Sequence, residues 1–183
     1  MASNHGLRGS TLETLINMAA ASYREDRLAL VQKIPTPITP MEIEKESRHI
    51  TLAYFDQKST VDYIGVVQGI PVCFDAKECK LDTVPLANIH EHQMQFMEEF
   101  EEQQGIAFFI LLLTHREELF YIPFRIMKRF WDRAQAGGRK SFTYEELEGC
   151  YRIRPKEGNP VPFLVPLEQD LQDREQLAEE ENT

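Results

Sequence analysis

The stretch Ser59–Lys80 limits what this chain can fold into more than any other. Apolar and β-branched residues run to Val67, Gln68-Gly69 supplies a turn, and a second apolar run carries Val72, Cys73 and Phe74 into Asp75-Ala76-Lys77. That is the pattern of two strands folded back on each other. With a two-residue loop, Val67 pairs with Ile70 and Asp62 falls directly opposite Asp75. Counting outward from a hydrogen-bonded Val67/Ile70 pair makes Asp62/Asp75 a non-hydrogen-bonded pair, in which Cα atoms approach to about 4.5 Å. Like charges directly opposite are destabilising, so the register predicts a cation between them. Side chains alternate with period 2, which puts Lys77 on the face of Asp75 with Thr60 across from it. Pro71 is tolerated because a non-hydrogen-bonded position does not present its N–H to the partner strand. A hairpin with one polar, solvated face satisfies the same pattern.

A chain of 183 residues, 42% hydrophobic, is long enough for one globular domain with a single core and short for two. It has no apolar run of about 18 residues and no charged-then-apolar leader, so a soluble, non-exported protein is expected, without membrane association. Cys73, Cys79 and Cys150 show no C-x-x-C spacing, which argues against zinc and against a disulfide framework and for a reducing cytoplasm. A net charge of −10 argues against a nucleic-acid partner, but its distribution weakens the objection. Residues 168–183 carry a net −6, whereas residues 125–140 hold Arg125, Lys128, Arg129, Arg133, Arg139 and Lys140 against Asp132 alone. A local basic surface is predicted there.

In chain order, residues 1–9 read as a flexible N-terminus. Ser10 with Glu13 predicts a capping box, opening a helix through about Arg24. Glu13 reads either as a capping carboxylate or as a third acid at the site; alone, the first is favoured. Arg27–Ile34 predicts a strand, stopped by Pro35, Pro37 and Pro40. His49–Phe55 predicts another, forming a projecting arm with the segment before it. Asp82–Ala87 reads as a connecting loop. Residues 88–104 predict a helix with Ile89, Gln93, Phe96 and Phe100 on one face. Gln93 is the polar exception on that face. It either hydrogen-bonds a core backbone group, the reading periodicity favours, or offers its carbonyl oxygen to a metal and its waters. His90 and His92, two residues apart, do not share a helix face and are poor joint ligands. Ile106–Leu113 predicts a strand buried on both faces, Glu118–Ile122 its neighbour, and Phe124–Ala136 a helix packed through Ile126, Met127, Phe130 and Trp131. Thr143 with Glu146 caps another short helix. Arg152, Arg154 and Lys156 suggest a phosphate-facing strand or loop. Residues 10–166 are expected as a single domain, and residues 167–183 as an acidic, disordered tail.

Helix, strand, hairpin, helix, buried strand is an order that points to a mixed sheet with helices against it. An acid, then acid-x-lysine on the facing strand, is the layout of a metal-dependent phosphodiester hydrolase. Two carboxylates hold Mg²⁺, a hard cation that keeps waters; the ion polarises the phosphate and acidifies a water; the lysine stabilises charge in the transition state.

The residues Arg8-Gly-Ser-Thr-Leu-Glu13-Thr-Leu-Ile-Asn17, Lys33-Ile-Pro-Thr-Pro37, Ser59-Thr60-Val-Asp62-Tyr63, Phe74-Asp75-Ala-Lys77-Glu78, Pro85-Leu-Ala-Asn88-Ile-His90-Glu-His92-Gln93, Phe130-Trp131-Asp132 and Gly138-Arg139-Lys140-Ser141 occur in one order. In that order they resemble the RecU family of Holliday junction resolvases, dimeric members of the PD-(D/E)xK nuclease superfamily. The resemblance implies a restriction-endonuclease-like α/β fold, with a mixed sheet flanked by helices and residues 35–58 as a stalk projecting into the open centre of a four-way junction. It implies Asp62 and Asp75 as metal-binding acids, Thr60 and Gln93 as contributors to the metal site, Lys77 as the transition-state lysine, and Glu13 as an accessory acid. Asp75 stands where the family commonly has glutamate. The implied cofactor is Mg²⁺, with Mn²⁺ as an alternative. The implied activity is paired nicking of branched DNA by a homodimer in the cytoplasm, associated with the nucleoid, in recombination and repair alongside a recombinase and a branch-migration helicase. A short N-terminus, three glutamates in the stalk and the acidic balance depart from the family pattern and favour an alternative, a non-cleaving junction-binding or recombinase-modulating protein.

Overall fold

The computed structural model describes residues 11–35, 37–55 and 60–181, so the flexible N-terminus expected for residues 1–9 and the capping role expected of Ser10 lie outside the described residues. The chain opens with α1 (Leu12–Glu25), whose N-cap is Thr11: its hydroxyl accepts the Thr14 N–H, the bond expected of a side-chain cap. Strand β1 (Ala29–Lys33) follows, then β2 (Ile38–Ile43) and β3 (Ile50–Phe55), β4 (Tyr63–Val67) and β5 (Ile70–Cys79). After β6 (Thr83–Pro85) and a 3-10 turn at Leu86–Asn88 come α2 (Glu91–Glu102), β7 (Ile106–Leu113), β8 (Glu118–Pro123), α3 (Phe124–Gln135), β9 (Ser141–Thr143), β10 (Tyr151–Ile153) and α4 (Leu164–Glu181). A 3-10 turn, Tyr144–Leu147, is the short helix expected after Thr143; Glu146 accepts the Thr143 N–H at 2.9 Å.

Six strands form one sheet in the order β1-β4-β5-β7-β8-β10, with β5 and β7 parallel and every other neighbour antiparallel. The β4–β5 register is the predicted one, from Val67/Ile70 to Tyr63/Phe74. Its turn has φ of +48° at Gln68 and +90° at Gly69, the positive pair a two-residue hairpin turn needs. Glutamine is an unusual occupant of the first position, and its side chain is tied down: the amide donates to the Arg27 and Leu28 carbonyls, 3.1 Å each. At Gly65 the backbones of β1 and β4 leave no room for a side chain, because a Cβ would sit 2.3 Å from the Leu30 carbonyl oxygen.

Every residue of β7 is buried, as its unbroken apolar run requires of a central strand. Its two faces belong to two cores. Phe108, Ile110 and Leu112 join Phe74, Tyr121, the α1 residues Leu15 and Ile16, and Phe163 and Leu167 at the start of α4. Phe109, Leu111 and Leu113 join Cys73, Ile122, Met94 and Met97 of α2, and Met127 and Phe130 of α3. The result is a mixed sheet with helices on both faces. Among the described residues, strands β2 and β3 pair with each other and with no other strand.

Four expectations need correction. The loop expected at Asp82–Ala87 contains β6, which pairs with β9. Helix α2 starts at Glu91, and the residues it buries are Gln93, Met94 and Met97, while Phe96 and Phe100 lie half-buried at its flank. Because His90 precedes the helix, its ring is free to stack on that of His92, with centroids 5.5 Å apart. The acidic tail is ordered as α4, because Asp170 is fully buried: it accepts the Tyr121 hydroxyl at 2.9 Å and pairs with Arg125, both far away in sequence, and with Arg174 one turn along the helix. Arg174 in turn reaches Glu101 at 2.6 Å. The same pairing corrects the basic surface expected at residues 125–140. Arg125 is held by Asp170, Lys128 by Glu98 and Asp132, and Arg133 and Arg139 by Glu146. Most of the charge counted there is neutralised.

Candidate active site

The hairpin ladder stops at Tyr63/Phe74, and one residue further the two aspartates face each other as the register requires. Side chains take over from the backbone there. The Asp62 N–H donates to Asp75 Oδ1 at 2.8 Å, and the Ala76 N–H donates to Asp62 Oδ2 at 2.9 Å. This reciprocal clasp fixes both carboxylates against the end of the sheet, while the Asp62 carbonyl accepts the Ile34 N–H at 2.8 Å, carrying β1 to the same point. Asp75 is fully buried, and a buried carboxylate needs partners. Its Oδ2 receives Lys77 Nζ at 2.8 Å and Gln93 Nε2 at 2.7 Å.

Gln93 therefore reaches the site, with its orientation dictated by its neighbours. Its Oε1 accepts the His90 N–H at 3.1 Å, and a backbone N–H can only donate, so the amide NH₂ must face Asp75. The partner is a site carboxylate rather than the core backbone group that periodicity favoured, and the carbonyl oxygen points at the helix start. Lys77 lies two residues along β5 from Asp75 on the same face, one-fifth exposed where Asp75 is sealed. Thr60 stands at a bend before the buried Val61, outside the ladder.

Helix α1 brings the third acid. The Leu12 N–H, one of the unsatisfied donors of its first turn, donates to Glu78 Oε1 at 2.6 Å, fastening the helix start to β5 beside Lys77. Glu13 is consequently exposed at the rim, paired with Lys33, and its charge reaches Asp62. The Tyr63 hydroxyl donates to Asn17 Oδ1 at 3.1 Å, a second tie between hairpin and helix. Glu78, Lys33, Tyr63 and Asn17 stand in the motifs that carry the resemblance, but sequence pattern assigned them no role at the site, because each acts through a contact distant in sequence. The β1–β4 pairing, which places Lys33 beside Tyr63, is the feature that accounts for Lys33.

Asp62 titrates above the usual carboxylate range. Burial is the main cause, followed by the negative charge of Asp75; the Ala76 N–H and Lys77 oppose the shift, and Glu13 adds to it. A carboxylate held against a second one, with its Oδ1 unbonded among the described residues, is a site short of positive charge. Among the described residues no three His, Cys, Asp or Glu side chains converge to hold a metal. The set fits a hard divalent cation held by two carboxylates and water, the usual Mg²⁺ arrangement, better than it fits zinc.

A mixed sheet flanked by helices, whose hairpin ends in an acid facing acid-x-lysine, defines a class: α/β proteins with an acid-and-lysine site at one end of the sheet. Comparison with known proteins narrows the class. The family described as "RecU: Recombination protein U" matches residues 7–169, and this chain belongs to it. Relatives named "Holliday junction resolvase RecU" include one from Oenococcus oeni, 41% identical over 145 residues, covering 77% of this chain and 74% of the relative. Another, from Listeria welshimeri, is 38% identical over 169 residues, covering 90% and 84%. Among solved structures, Hjc, a Holliday junction resolvase from Archaeoglobus fulgidus, aligns over 76% of this chain and 94% of its own. The TM-score is 0.47 and the identity 8%, too slight a likeness to carry functional weight.

Proposed function

We propose that this protein is a metal-dependent endonuclease that resolves four-way DNA junctions by paired nicking. The observation that carries the proposal is the convergence of Asp62, Asp75 and Lys77 at the open end of one hairpin, in a chain of the RecU family. Asp62 and Asp75 would hold Mg²⁺ or Mn²⁺, and a divalent ion bound there supplies a polarised phosphate oxygen and a more acidic water. Asp62 is the better placed ligand, since its Oδ1 is unbonded among the described residues while both Asp75 oxygens are engaged. Lys77 is the cation of that set, and it is partly exposed. Its ammonium is positioned to donate to a phosphate oxygen and to stabilise the charge that develops as water attacks phosphorus and a P–O ester bond breaks. Gln93 and the Asp62 N–H hold Asp75 still during that exchange. Thr60 and Glu13 are assigned supporting places at the rim.

A homodimer suits a two-fold substrate, because two like sites then face two strands of the junction. The β2–β3 arm is assigned to the junction centre, with a recombinase and a branch-migration helicase as candidate partners and the cytoplasm, at the nucleoid, as the setting. No helix among the described residues is long and apolar enough to cross a membrane.

The test is incubation of purified protein with a synthetic four-way junction and Mg²⁺ or Mn²⁺. Symmetric nicks by the wild type that are absent from Asp62→Ala support the reading. Tight junction binding without cleavage in any divalent ion supports the second reading, a non-cleaving junction-binding protein, which the acidic net charge favours.

A further inference from the structure

At the far edge of the sheet from β1, strand β10 and the start of α4 enclose a cleft of ≈ 500 Å³ whose charged lining is Arg152, Arg154 and Lys156, with no carboxylate. This stands out in a protein of net charge −10. Most basic residues of α3 and the segment after it are paired with acids, whereas Arg154 and Lys156 enter no ion pair among the described residues and are exposed. Arg152 is held by Glu118 at 2.6 Å, which fixes the floor of the cleft.

The strand register relates this cleft to the candidate active site. Lys77 is paired with Leu111, Leu111 with Phe120, and Phe120 with Arg152. Partners across a ladder stand at one level of the sheet, so Arg152 lies level with Lys77, three strand spacings or about 14 Å away. The start of α4 packs on the opposite face, with Phe108, so what the cleft shares with Lys77 is the end of the sheet. Arg154 and Lys156 continue past the end of β10, on the side of the sheet end where Lys77 and Glu78 lie. Helix α4 runs the other way: Arg174 contacts Glu101, and Glu101 accepts the Ala107 N–H at the opposite end of β7. Of its acids, Asp173 accepts the hydroxyl of Tyr151 in the cleft wall at 2.5 Å. About 14 Å corresponds to about four base pairs of duplex at 3.4 Å each.

We infer that the β10–α4 cleft is a second DNA contact, gripping the phosphate backbone of the junction arm about four base pairs from the phosphate held at Lys77. This rests on the endonuclease reading and adds to it the means by which an acidic chain orients a duplex arm. Phosphate contacts fix register without reading sequence, and the cleft offers cations and no base-reading group on a recognition helix.

The experiment measures binding of a labelled four-way junction by anisotropy across a salt series with Ca²⁺ in place of Mg²⁺, using wild type, Arg154→Ala/Lys156→Ala and the charge-keeping Arg154→Lys/Lys156→Arg. Losing two phosphate contacts should flatten the slope of log K against log salt by about 2 and weaken binding about 10- to 100-fold at 0.1 M salt. The charge-keeping variant should match wild type, and all three should share one melting temperature. An unchanged slope in the alanine variant, with wild type binding normally, overturns the cleft while leaving the endonuclease reading intact. Wild type that binds no junction overturns both. Competition by an acidic peptide that is lost in the alanine variant, while the DNA slope is unchanged, overturns the cleft as a DNA site and assigns it to a protein partner.

Discussion

Gln93→Leu separates two roles that the buried amide could play. In the structure Gln93 is a donor to Asp75 at 2.7 Å and an acceptor for the His90 N–H at 3.1 Å, with only 6% of its surface exposed. Leucine keeps the volume and removes both bonds. A hydrogen bond to a charged group contributes about 1.5–3 kcal/mol, and a buried polar group left without a partner costs about 1–3 kcal/mol. Asp75 retains Lys77 and the Asp62 N–H, and the His90 N–H lies at a part-buried helix start, so the low end of the combined range applies, about 2 kcal/mol. For a chain of this size that is a fall in melting temperature of about 4–8 °C. The assay is thermal melting in a chelator, with no divalent ion present. Were Gln93 only a metal ligand, the metal-free melting temperature would be unchanged and only the metal-induced rise would shrink. A metal-free value within about 1 °C of wild type refutes the donor role.

Other outcomes follow from the same geometry. Because the Asp62 pKa is raised, its protonated form is favoured in the folded state; the stability it contributes is full below the ordinary carboxylate range and is lost as pH rises through the raised value. Melting curves should therefore show a Mg²⁺-induced stabilisation that grows as pH rises through that value and vanishes in Asp62→Asn. Lys77→Ala should lower the nicking rate about 10²- to 10³-fold, with junction affinity nearly unchanged, as measured by single-turnover cleavage and anisotropy. Asp170→Ala should destabilise by about 2–4 kcal/mol, discounted from a fully buried pair because Arg125 and Arg174 are each partly exposed; urea unfolding checks this, and a change below about 0.5 kcal/mol would restore a tail independent of the fold.

The hairpin was legible because it depends on local rules: period-2 alternation fixes which side chains face each other, and Gln68-Gly69 fixes the register from which Asp62 meets Asp75. The β7 core strand was legible for the same reason, since an unbroken apolar run has few other uses. What escaped depends on contacts between distant residues. Helix α4 reads as a solvated acidic segment until Tyr121 and Arg125 close around Asp170. The basic run at residues 125–140 reads as a free surface until Glu146, Glu98 and Asp170 are folded against it. Gln93 was recognisable as an anomaly on its helix, but its partner, Asp75, became visible only when α2 was laid across the end of β5. The N-cap of α1 is Thr11, whose hydroxyl accepts the Thr14 N–H, a role its sequence pattern did not mark because no Glu or Gln stands three residues on.

The central claim is that the facing aspartates and Lys77 form a metal-dependent nuclease site. It is tested most directly by nicking of a synthetic four-way junction in Mg²⁺ or Mn²⁺, wild type against Asp62→Ala, at equal folded concentration. The account predicts paired nicks from wild type and none from the variant; equal nicking by the two proteins, or none by wild type in either ion, contradicts it.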